Sequence, residues 1–444
     1  MRIDRLEIEN FKKFAVQSFD FHPQFTLFVG ENGAGKTTIL DALAVAAGIW
    51  LVEPPDSTLA GSRREILTME IRLEPELNGD RVQFRERRPV KVRATGRIGE
   101  HDAVSWARQI RQDGKRTSNA EAKQALAFVK DIYSRDSAGE NVLCPVLAYY
   151  GAGRAWLPSN QRVPKPQKNG PARRWAAFYD CFTERIRFAD LQKWFSRESV
   201  ERGNRGGRWR PGFEAVRRAV LRCVPGADDV RFDADRDQIV LSIEGHEQPF
   251  DNLSAGQRMM LALVADLAIK AVTQNSYLIP PDELPPTDQL PAVLAQTPGV
   301  VLIDELDVHL HPNWQRRVAH DLKATFPAIQ FICTSHSPQV IGEVRPEEIR
   351  RLDHDQVTTP ERSFGIDSSR VLEEIMETPS RNDSVQELLR QLFHSIDQED
   401  FRAARTLLPV VETQIGSDDP EVTRARALMS FLESNIDEDN PQKP

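Results

Sequence analysis

The chain has 444 residues, of which 28% are charged and 40% are hydrophobic, and its formal net charge is −8. This length allows about two to three domains, and the composition is typical of globular proteins; the acidic balance argues against a surface coated in basic residues without excluding a local nucleic-acid site. Because there is no run of about 18 apolar residues and no signal-peptide core, we expect a cytoplasmic protein without a membrane segment.

The first elements indicated by the sequence are strands that lead into a glycine-rich loop. Apolar and polar residues alternate over Arg2–Ile8 and again over Val16–Phe21, and Thr26–Val29 is a short apolar run. An apolar helix is predicted over Thr38–Trp50. The segment between the last strand and this helix, Gly30–Thr37, reads G-E-N-G-A-G-K-T.

This loop matches the G-x-x-x-x-G-K-T phosphate-binding pattern in the required context of strand and helix. Its glycines allow successive backbone N–H groups to turn toward a triphosphate, Lys36 can neutralise the outer phosphates, and the Thr37 hydroxyl can ligate Mg²⁺. The N-terminal end of the following helix adds a positive dipole. The sequence therefore predicts nucleotide binding with Mg²⁺ as the accompanying ion.

The middle of the chain combines β-like and helical patterns. A polar, proline- and lysine-rich stretch over residues 157–174 indicates the start of an inserted lobe. The predicted elements around it are a β-like region at Ile66–Arg97, a strand at Val142–Tyr150 and helices at Glu121–Ser134, Trp175–Arg187, Phe188–Arg202 and Gly212–Cys223.

Basic residues are concentrated in two places within this middle region. One row contains Arg81, Arg85, Arg87, Arg88, Lys91, Arg93 and Arg97, and the other is the segment Arg202–Arg210. They could contact a phosphate backbone, with Trp156 and Trp209 stacking on bases, so DNA or RNA is a candidate ligand. The alternative is that they form solvated strand faces.

Strand and helix alternate again toward residue 341, as in a parallel sheet covered by helices. Strands are predicted at Val230–Phe232 and Gln238–Ile243, and the most apolar strand, Val300–Ile303, is followed directly by Asp304 and Glu305. Two carboxylates at the end of a strand beside a phosphate loop suit a Mg²⁺ ligand and a base that activates water. We assign the metal role to Asp304 and the base role to Glu305.

A second candidate anion site precedes the apolar helix that starts near Met259. Ser254 and Gln257 have the spacing of a capping box, and Gly256 lies between them. A capped helix N-terminus that contains glycine can also bind an anion, such as a γ-phosphate presented by another subunit. Both interpretations of this segment can hold together.

The end of the chain, from Ser368 to Asn435, has a helical pattern with an apolar stripe formed by Leu388, Leu389, Leu392 and Phe393. We divide the chain into an N-terminal ATPase lobe at 1–150, an inserted helical lobe at 151–250, a C-terminal ATPase lobe at 251–350 and a helical tail at 351–444. The tail is expected to serve assembly or partner binding.

These motifs, in this order, resemble the ABC-type ATPases of the branch that contains the SMC proteins, RecF and the OLD-like proteins. Leu253–Arg258 resembles the LSxGxR signature of that family, and Asp304 with Glu305 resembles its Walker B pair. Asp307 corresponds to the D-loop, His336 to the switch histidine, and Lys12 to the basic residue of an N-terminal element that lies near the phosphates. The implied fold is an α/β P-loop ATPase head with a β-rich N-terminal lobe, an inserted helical lobe and a helical extension.

Within this branch, Ala148–Arg154 and Asp304–Pro312 resemble stand-alone bacterial ATPases of the AAA group, including the ATPase subunits of anti-phage systems such as Septu. The resemblance covers roughly residues 1–350. A glutamine expected near Gly151 is missing, so Arg154 is the candidate substitute, and Leu306 stands where proline is common. The resemblance implies ATP and Mg²⁺ as cofactors and residues in three roles. The catalytic candidates are Glu305 and His336, the metal ligands are Thr37 and Asp304, and the nucleotide contacts are Lys12, Gly30, Asn32, Gly33, Gly35, Lys36, Thr37, Thr38, Arg154, Ser254, Gly256 and Asp307.

In the resembled family, ATP lies between the phosphate loop of one subunit and the signature of another, which implies a homodimer or a higher homo-oligomer. The leading hypothesis is an ATPase that controls a separately encoded effector, a nuclease, in anti-phage defence. The alternatives are a RecF-like repair or replication ATPase that grips DNA without an effector, and a scaffold that binds ATP without turnover. The spacing between the signature and Walker B disfavours a transporter subunit, and the short middle region disfavours an SMC coiled coil.

Cysteine and histidine positions do not favour a zinc site. Four cysteines, Cys144, Cys181, Cys223 and Cys333, lie far apart without a C-x-x-C spacing. His309 and His311 are two residues apart, but a tetrahedral site needs further ligands that the nearby sequence does not offer. A structural or dimer-contact role is the preferred interpretation for the two histidines.

Overall fold

The computed structural model describes residues 1–78, 81–155, 173–353 and 356–439. The chain forms two compact units, Met1–Ile366 and Asp367–Pro444. None of the described helices combines the length and the apolar character that crossing a membrane would require. The finer boundaries predicted at residues 150, 250 and 350 stay a prediction.

The strands of the described residues all belong to the first unit. In chain order they are β1 (Arg2–Phe11), β2 (Phe14–Asp20), β3 (Phe25–Gly30), β4 (Leu73–Asn78), β5 (Arg81–Glu86), β6 (Val90–Ile98), β7 (His101–Ile110), β8 (Val146–Tyr150), β9 (Ala227–Asp233), β10 (Gln238–Ile243), β11 (His246–Pro249), β12 (Gly299–Ile303), β13 (Ile329–Thr334), β14 (Ile349–Asp353) and β15 (Gln356–Thr358).

The α-helices occur in both units. In chain order they are α1 (Lys36–Ala47), α2 (Lys123–Ser137), α3 (Phe188–Asn204), α4 (Pro211–Cys223), α5 (Ala255–Gln274), α6 (Ala292–Gln296), α7 (Pro312–Thr325), α8 (Pro338–Ile341), α9 (Ser368–Arg370), α10 (Asp383–Asp397), α11 (Phe401–Ile415) and α12 (Pro420–Asp439).

A six-stranded sheet with the order β15-β14-β3-β13-β12-β8 carries the predicted site motifs. Its strands are parallel except for β15. Every residue of β12 and β13 is buried, and β12 is apolar throughout, as expected for a central parallel strand that is covered on both faces.

A four-stranded antiparallel sheet with the order β2-β1-β6-β7 forms the β-rich part of the N-terminal region. Helix α1 contacts strands of both this sheet and the six-stranded sheet, so it is almost fully buried between them. Side chains of β7 satisfy carbonyl groups near the end of α1: Trp106 Nε1 donates to Ala46 O at 3.0 Å and Arg108 Nη1 to Val45 O at 2.8 Å. This packing fixes the helix that follows the phosphate loop.

The predicted helix over Trp175–Arg187 is wrong. Only Arg173–Phe178 is helical, as a 3-10 turn, and the following residues run beside β8. The carbonyl of Cys181 accepts the N–H of Tyr149 at 2.8 Å, and the carbonyl of Glu184 accepts the N–H of Gly151 at 2.9 Å. These carbonyls extend the edge of the sheet and are therefore not used in a helix.

The second unit consists mainly of α10, α11 and α12 around a core of its own. The predicted apolar stripe lies in this core, with Leu389 and Leu392 buried and Leu388 and Phe393 packed against them. The helical character predicted for this part of the chain is confirmed, as is the α/β class of the first unit.

Candidate nucleotide site

The predicted motifs meet at one edge of the six-stranded sheet. β3, β13 and β12 are adjacent and parallel, with Cys333 paired to Leu27 on one side and to Ile303 on the other. The residues that follow these strands therefore emerge side by side. Ligands of open α/β sheets bind at this carboxyl edge.

The phosphate loop depends on glycine at defined positions. Gly33 and Gly35 have φ angles of 79° and 105°, in the left-handed region that side chains disfavour. A Cβ atom on Gly35 would lie 2.6 Å from the Phe14 ring, and one on Gly30 would lie 2.5 Å from the carbonyl oxygen of Leu352. The backbone thus adopts a tight curve that suits the predicted cradle for phosphates, and Asn32 is exposed within it.

Lys36 is the first residue of α1 and is 7% exposed. Its Nζ donates to the carbonyls of Gly30 at 2.7 Å and Glu31 at 2.9 Å, so the side chain folds back along the loop. Burial lowers the pKa of Lys36, whereas the charges of Asp304, Glu305 and Asp307 oppose that shift. The ammonium group and the carboxylates therefore share one electrostatic environment.

Asp304 joins the phosphate loop to the neighbouring strands. Its Oδ2 accepts the Thr37 hydroxyl at 2.9 Å, and its Oδ1 accepts the Thr334 hydroxyl at 2.6 Å. A threonine hydroxyl and a carboxylate are hard oxygen donors of the type that Mg²⁺ prefers. The two predicted metal ligands lie within hydrogen-bond distance of each other and fit that ion.

Glu305 is positioned by the residue that ends β13. Its backbone N–H donates to Thr334 Oγ1 at 2.7 Å, and the N–H of Leu306 donates to Thr334 O at 2.8 Å. Glu305 has a φ angle of 50°, so the chain turns sharply after β12. Thr334 thus holds both carboxylate residues. Sequence reasoning did not assign it a role, although its position at the end of a neighbouring strand was a usable signal.

Asp307 and His336 lie beside this pair. Asp307 Oδ1 accepts the Ser335 hydroxyl at 2.5 Å and the backbone N–H of His336 at 3.3 Å. Burial, followed by the charge of Lys36, lowers the pKa of the half-buried His336, while the nearby carboxylates act in the opposite direction. The neutral imidazole is therefore the favoured form near pH 7.

The predicted signature segment starts α5. Ser254 and Gln257 form the expected capping box: Ser254 Oγ accepts the Gln257 N–H at 3.3 Å, and Gln257 Oε1 accepts the Ser254 N–H at 2.9 Å. Ser254 is exposed and Gly256 is buried. A Cβ atom on Gly256 would lie 2.6 Å from the carbonyl oxygen of His309, so the start of α5 packs directly on the segment after Glu305.

The two histidines after Walker B have different local roles. His309 has a φ angle of 61° and presents its carbonyl to Gly256. His311 caps α7, with Nδ1 accepting the N–H of Asn313 at 3.3 Å. These contacts support the structural interpretation of both residues.

Two adjacent lysines follow β1. Lys12, the predicted phosphate contact, directs its ammonium group to Asp41 in α1, and Asp41 also lies 3.6 Å from Arg64. Lys13, which sequence reasoning missed, donates to the carbonyls of Gly33 at 3.0 Å and Ala34 at 2.9 Å. Lys13 therefore contacts the phosphate loop directly, whereas a phosphate contact by Lys12 stays a prediction.

Other predicted contacts lie elsewhere or outside the described part of the structure. Thr38 follows Thr37 in the first turn of α1. The side chain of Arg154 and all of Trp156 are outside the described residues. A cavity of about 800 Å³ lies between β8, residues 174–213 and α5, and its lining does not include the phosphate loop. The chemistry of the motifs, and not the size of the cavity, identifies the candidate site.

The first row of basic residues is largely paired with carboxylates. Arg93 and Lys91 contact Glu121 at 3.0 and 2.8 Å, and Arg88 contacts Glu86 at 2.8 Å. Further pairs join Arg85, Arg87 and Arg97 to Glu76, Glu74 and Asp102. This pairing favours solvated strand faces over a nucleic-acid footprint for this row. In the second row, Arg202 stacks on Trp209.

Comparisons with known proteins identify the kind of domain that carries these motifs. A family model described as an AAA domain matches residues 5–201. A second AAA-domain model, whose description also names the AbiEii toxin of type IV toxin–antitoxin systems, matches residues 231–342. The chain therefore contains AAA-type P-loop ATPase domains. The two matched ranges hold the phosphate loop and the signature–Walker B–switch segment, respectively.

Two bacterial proteins are similar to this chain over most of its length. The retron Ec83 probable ATPase of Escherichia coli is 24% identical over 94% of this chain and 85% of that protein. The Septu protein PtuA of Bacillus mycoides is 24% identical over 76% of this chain but only 38% of its own length. Among solved structures, the SMC head domain from Thermotoga maritima aligns with a TM-score of 0.43 at 16% identity, over 79% of this chain and 94% of that one.

Proposed function

We propose that the chain binds ATP with Mg²⁺ and hydrolyses it between two copies, and that the closed state controls a separately encoded effector, a nuclease, in anti-phage defence. The observation that carries the proposal is the set of hydrogen bonds that joins Thr37, Asp304, Thr334 and Glu305 at one sheet edge. It brings a phosphate loop, a metal ligand and a candidate base together.

Nucleotide binding is assigned to the loop and to the start of α1. The curve at Gly33 and Gly35 directs backbone N–H groups toward phosphates, and Lys36 can exchange its two loop carbonyls for phosphate oxygens. Thr37 and Asp304 would hold Mg²⁺, which supplies charge neutralisation at the outer phosphates. Lys13 holds the loop from outside through its two carbonyl contacts.

Hydrolysis is assigned to Glu305. A carboxylate just beyond the metal ligand can orient a water molecule and accept its proton. Two features fix the backbone position from which the Glu305 side chain extends: the hydrogen bond from its N–H to Thr334 and its left-handed φ angle. His336, favoured in its neutral form, can donate one hydrogen bond near the outer phosphate while adding no positive charge.

The second copy is assigned the role of completing the site through Ser254 and Gly256. Ser254 is exposed at the N-terminal end of a 20-residue helix, where an anion is favoured. The close packing of Gly256 on the His309 carbonyl links this helix end to the segment that also contains Glu305 and Asp307. When the nucleotide of one copy contacts the signature of the other, the contact would therefore also affect the segment that holds Glu305 and Asp307 in the copy that provides the signature.

Control of an effector is the role implied by the resemblance to the ATPase subunits of anti-phage systems, and the similarity to the retron Ec83 probable ATPase spans 94% of this chain. We assign the docking of that effector to the second unit, because α10, α11 and α12 have a core of their own. The predicted cytoplasmic location fits this role and stays a prediction.

The variant Glu305→Gln tests the proposal, with Glu361→Gln, an exposed site, as the matched control. Glu305→Gln is expected to retain ATP binding, to slow phosphate release by about 100-fold or more, and to accumulate as a dimer in ATP. Lys36→Ala is expected to lose ATP binding and the dimer. Turnover at the wild-type rate in Glu305→Gln would remove Glu305 from the base role, and an unchanged mass in ATP would contradict nucleotide-driven dimerisation.

A further inference from the structure

The two-stranded hairpin formed by β4 and β5 has an unusual distribution of side chains. Its register pairs Leu73 with Glu86, Pro75 with Phe84 and Leu77 with Val82. Directly paired residues of an antiparallel ladder lie on the same face, and alternate residues share a face. Five apolar side chains, Leu73, Pro75, Leu77, Val82 and Phe84, therefore form one surface, called here the hairpin face.

The hairpin face is open to solvent. The exposed fractions are 83% for Leu77, 66% for Phe84, 56% for Val82 and 53% for Leu73. A half-buried hairpin normally turns its apolar face toward the core. Contiguous exposed apolar surface of this kind marks an interaction site.

The opposite face of the hairpin is polar, and its carboxylates are paired with arginines. Arg87 forms ion pairs with Glu74 and Glu76, and Arg85 lies 3.5 Å from Glu76. The carboxylates of this face are thus neutralised by arginines of the same face. The hairpin therefore has paired carboxylates on one face and solvent-exposed apolar side chains on the other.

The root of the hairpin is fixed to the N-terminal sheet. Ile71 forms a bridge with Phe11 at the end of β1, and the N–H of Arg72 donates to Asn10 O at 2.9 Å. The N–H of Arg87 closes the hairpin by donating to Arg72 O at 2.8 Å. The hairpin face is therefore presented by an anchored element.

We propose that the hairpin face is a contact between two copies of this chain, in which the face packs against the same face of a second copy. A twofold contact places a surface against itself, so any net charge on it would repel. The five apolar members of the face are uncharged, and Glu86, which shares the face through its pairing with Leu73, is neutralised by Arg88 at 2.8 Å. This composition suits a self-contact better than a contact with a charged partner.

The area of the face is consistent with a weak self-contact. Its exposed side chains amount to roughly 450 Å² per copy, so complete pairing buries at most about 900 Å², which is below the roughly 1,000 Å² of a stable specific interface and in the range of weak, transient contacts. The contact uses none of the nucleotide-site residues, so it does not rest on the proposed function. A chain with two separate self-contacts can join ATP-bound dimers into a larger assembly.

The first test compares two new carboxylates on opposite faces of the same hairpin. Leu77→Glu places a charge on the hairpin face, and Gln83→Glu places the same charge on the polar face, at positions that are both exposed. Without nucleotide, we expect the full-length wild type, of 50.3 kDa, to self-associate in sedimentation velocity as its concentration rises. Leu77→Glu should weaken that association at least about tenfold, and Gln83→Glu should leave it unchanged.

A wild type that stays monomeric at every concentration overturns the self-contact and leaves the face to a different protein. Equal weakening in both variants also overturns it, because the effect would then be independent of the face. Native near-ultraviolet circular dichroism of each variant shows that a change in mass does not come from unfolding.

The second test is a cross-link, for which the chain offers a clean background. The four native cysteines, Cys144, Cys181, Cys223 and Cys333, are all buried. In Phe84→Cys a short bis-maleimide should join two copies, and in the control Gln83→Cys it should not. The cross-link should persist in a Lys36→Ala background, which separates this contact from nucleotide-driven dimerisation. Absence of the Phe84→Cys cross-link, or its loss in the Lys36→Ala background, contradicts the proposal.

Discussion

Thr334 is the buried centre of the candidate site, and its replacement by valine is the sharpest test of how the site is built. The hydroxyl of Thr334 donates to Asp304 and accepts from the Glu305 N–H, at 2.6 and 2.7 Å. Thr334→Val keeps the branched shape but removes both bonds and leaves a buried N–H without its partner. A bond to a charged group contributes about 1.5–3 kcal/mol, and an unsatisfied buried group costs about 1–3 kcal/mol.

Added together, these contributions predict that Thr334→Val lowers the free energy of unfolding by about 2.5–6 kcal/mol, as measured by urea denaturation. Phosphate release at saturating ATP should fall about 10- to 100-fold, because the Asp304 carboxylate and the Glu305 backbone each lose one hydrogen bond that positions them. The matched control is Thr26→Val, a fully buried threonine whose hydroxyl accepts the His22 N–H at 2.9 Å; this variant should lose stability but keep turnover. A Thr334→Val variant with wild-type stability and turnover would refute this account of the site.

Three further predictions follow from individual contacts. Gly256→Ala brings a Cβ to 2.6 Å from the His309 carbonyl oxygen, so it should lower stability by about 1–3 kcal/mol and reduce turnover more than it weakens ATP binding. Gly203→Ala, which has open space around it, should change neither stability nor turnover, and equal effects of the two variants would contradict the packing argument. Because the folded protein lowers the pKa of His336 from 6.5, the stability that the neutral imidazole contributes should be fully present above pH 6.5 and be lost as the pH falls below it. The free energy of unfolding of the wild type should therefore fall more steeply below pH 6.5 than that of His336→Gln, and parallel pH curves from urea denaturation would be the opposing result. Deletion of residues 367–444 should spare ATP binding and weaken effector capture, and unchanged capture would remove that unit from partner docking.

Local patterns were sufficient to predict the elements that carry the motifs. The buried run of β12 and the phosphate loop after β3 each have a signature that does not depend on the rest of the chain, since burial on both faces and positive φ angles select the residue types directly. The same holds for the capping box at Ser254, in which both bonding partners lie within four residues. These features could be predicted because each leaves a recognisable pattern of residue types within a short stretch of sequence.

Features that depend on pairing between distant segments could not be predicted in the same way. Thr334 supports Asp304 and Glu305 only because β12 and β13 are in register. Residues 179–187 do not form the predicted helix because the edge of β8 uses the carbonyls of Cys181 and Glu184.

The basic residues show the same limit. Lys12 and Lys13 are adjacent in the sequence, yet Asp41 attracts one side chain and the phosphate loop the other. The row between Arg81 and Arg97 looks basic in the sequence, yet most of its side chains are paired in the structure, because carboxylates such as Glu76, Asp102 and Glu121 on other segments contact them.

The most direct test of the central claim, that one nucleotide site is built from two copies, is a mixing experiment with two inactive variants. Lys36→Ala removes the phosphate loop's cation, and Ser254→Arg blocks the signature, so each variant alone should lack turnover. A mixed dimer contains one site with an intact loop from one copy and an intact signature from the other. An equal mixture should therefore regain about a quarter of the wild-type phosphate release if pairing is random, and about half if the two variants pair only with each other. A mixture that stays as inactive as its two components would contradict a site shared between copies.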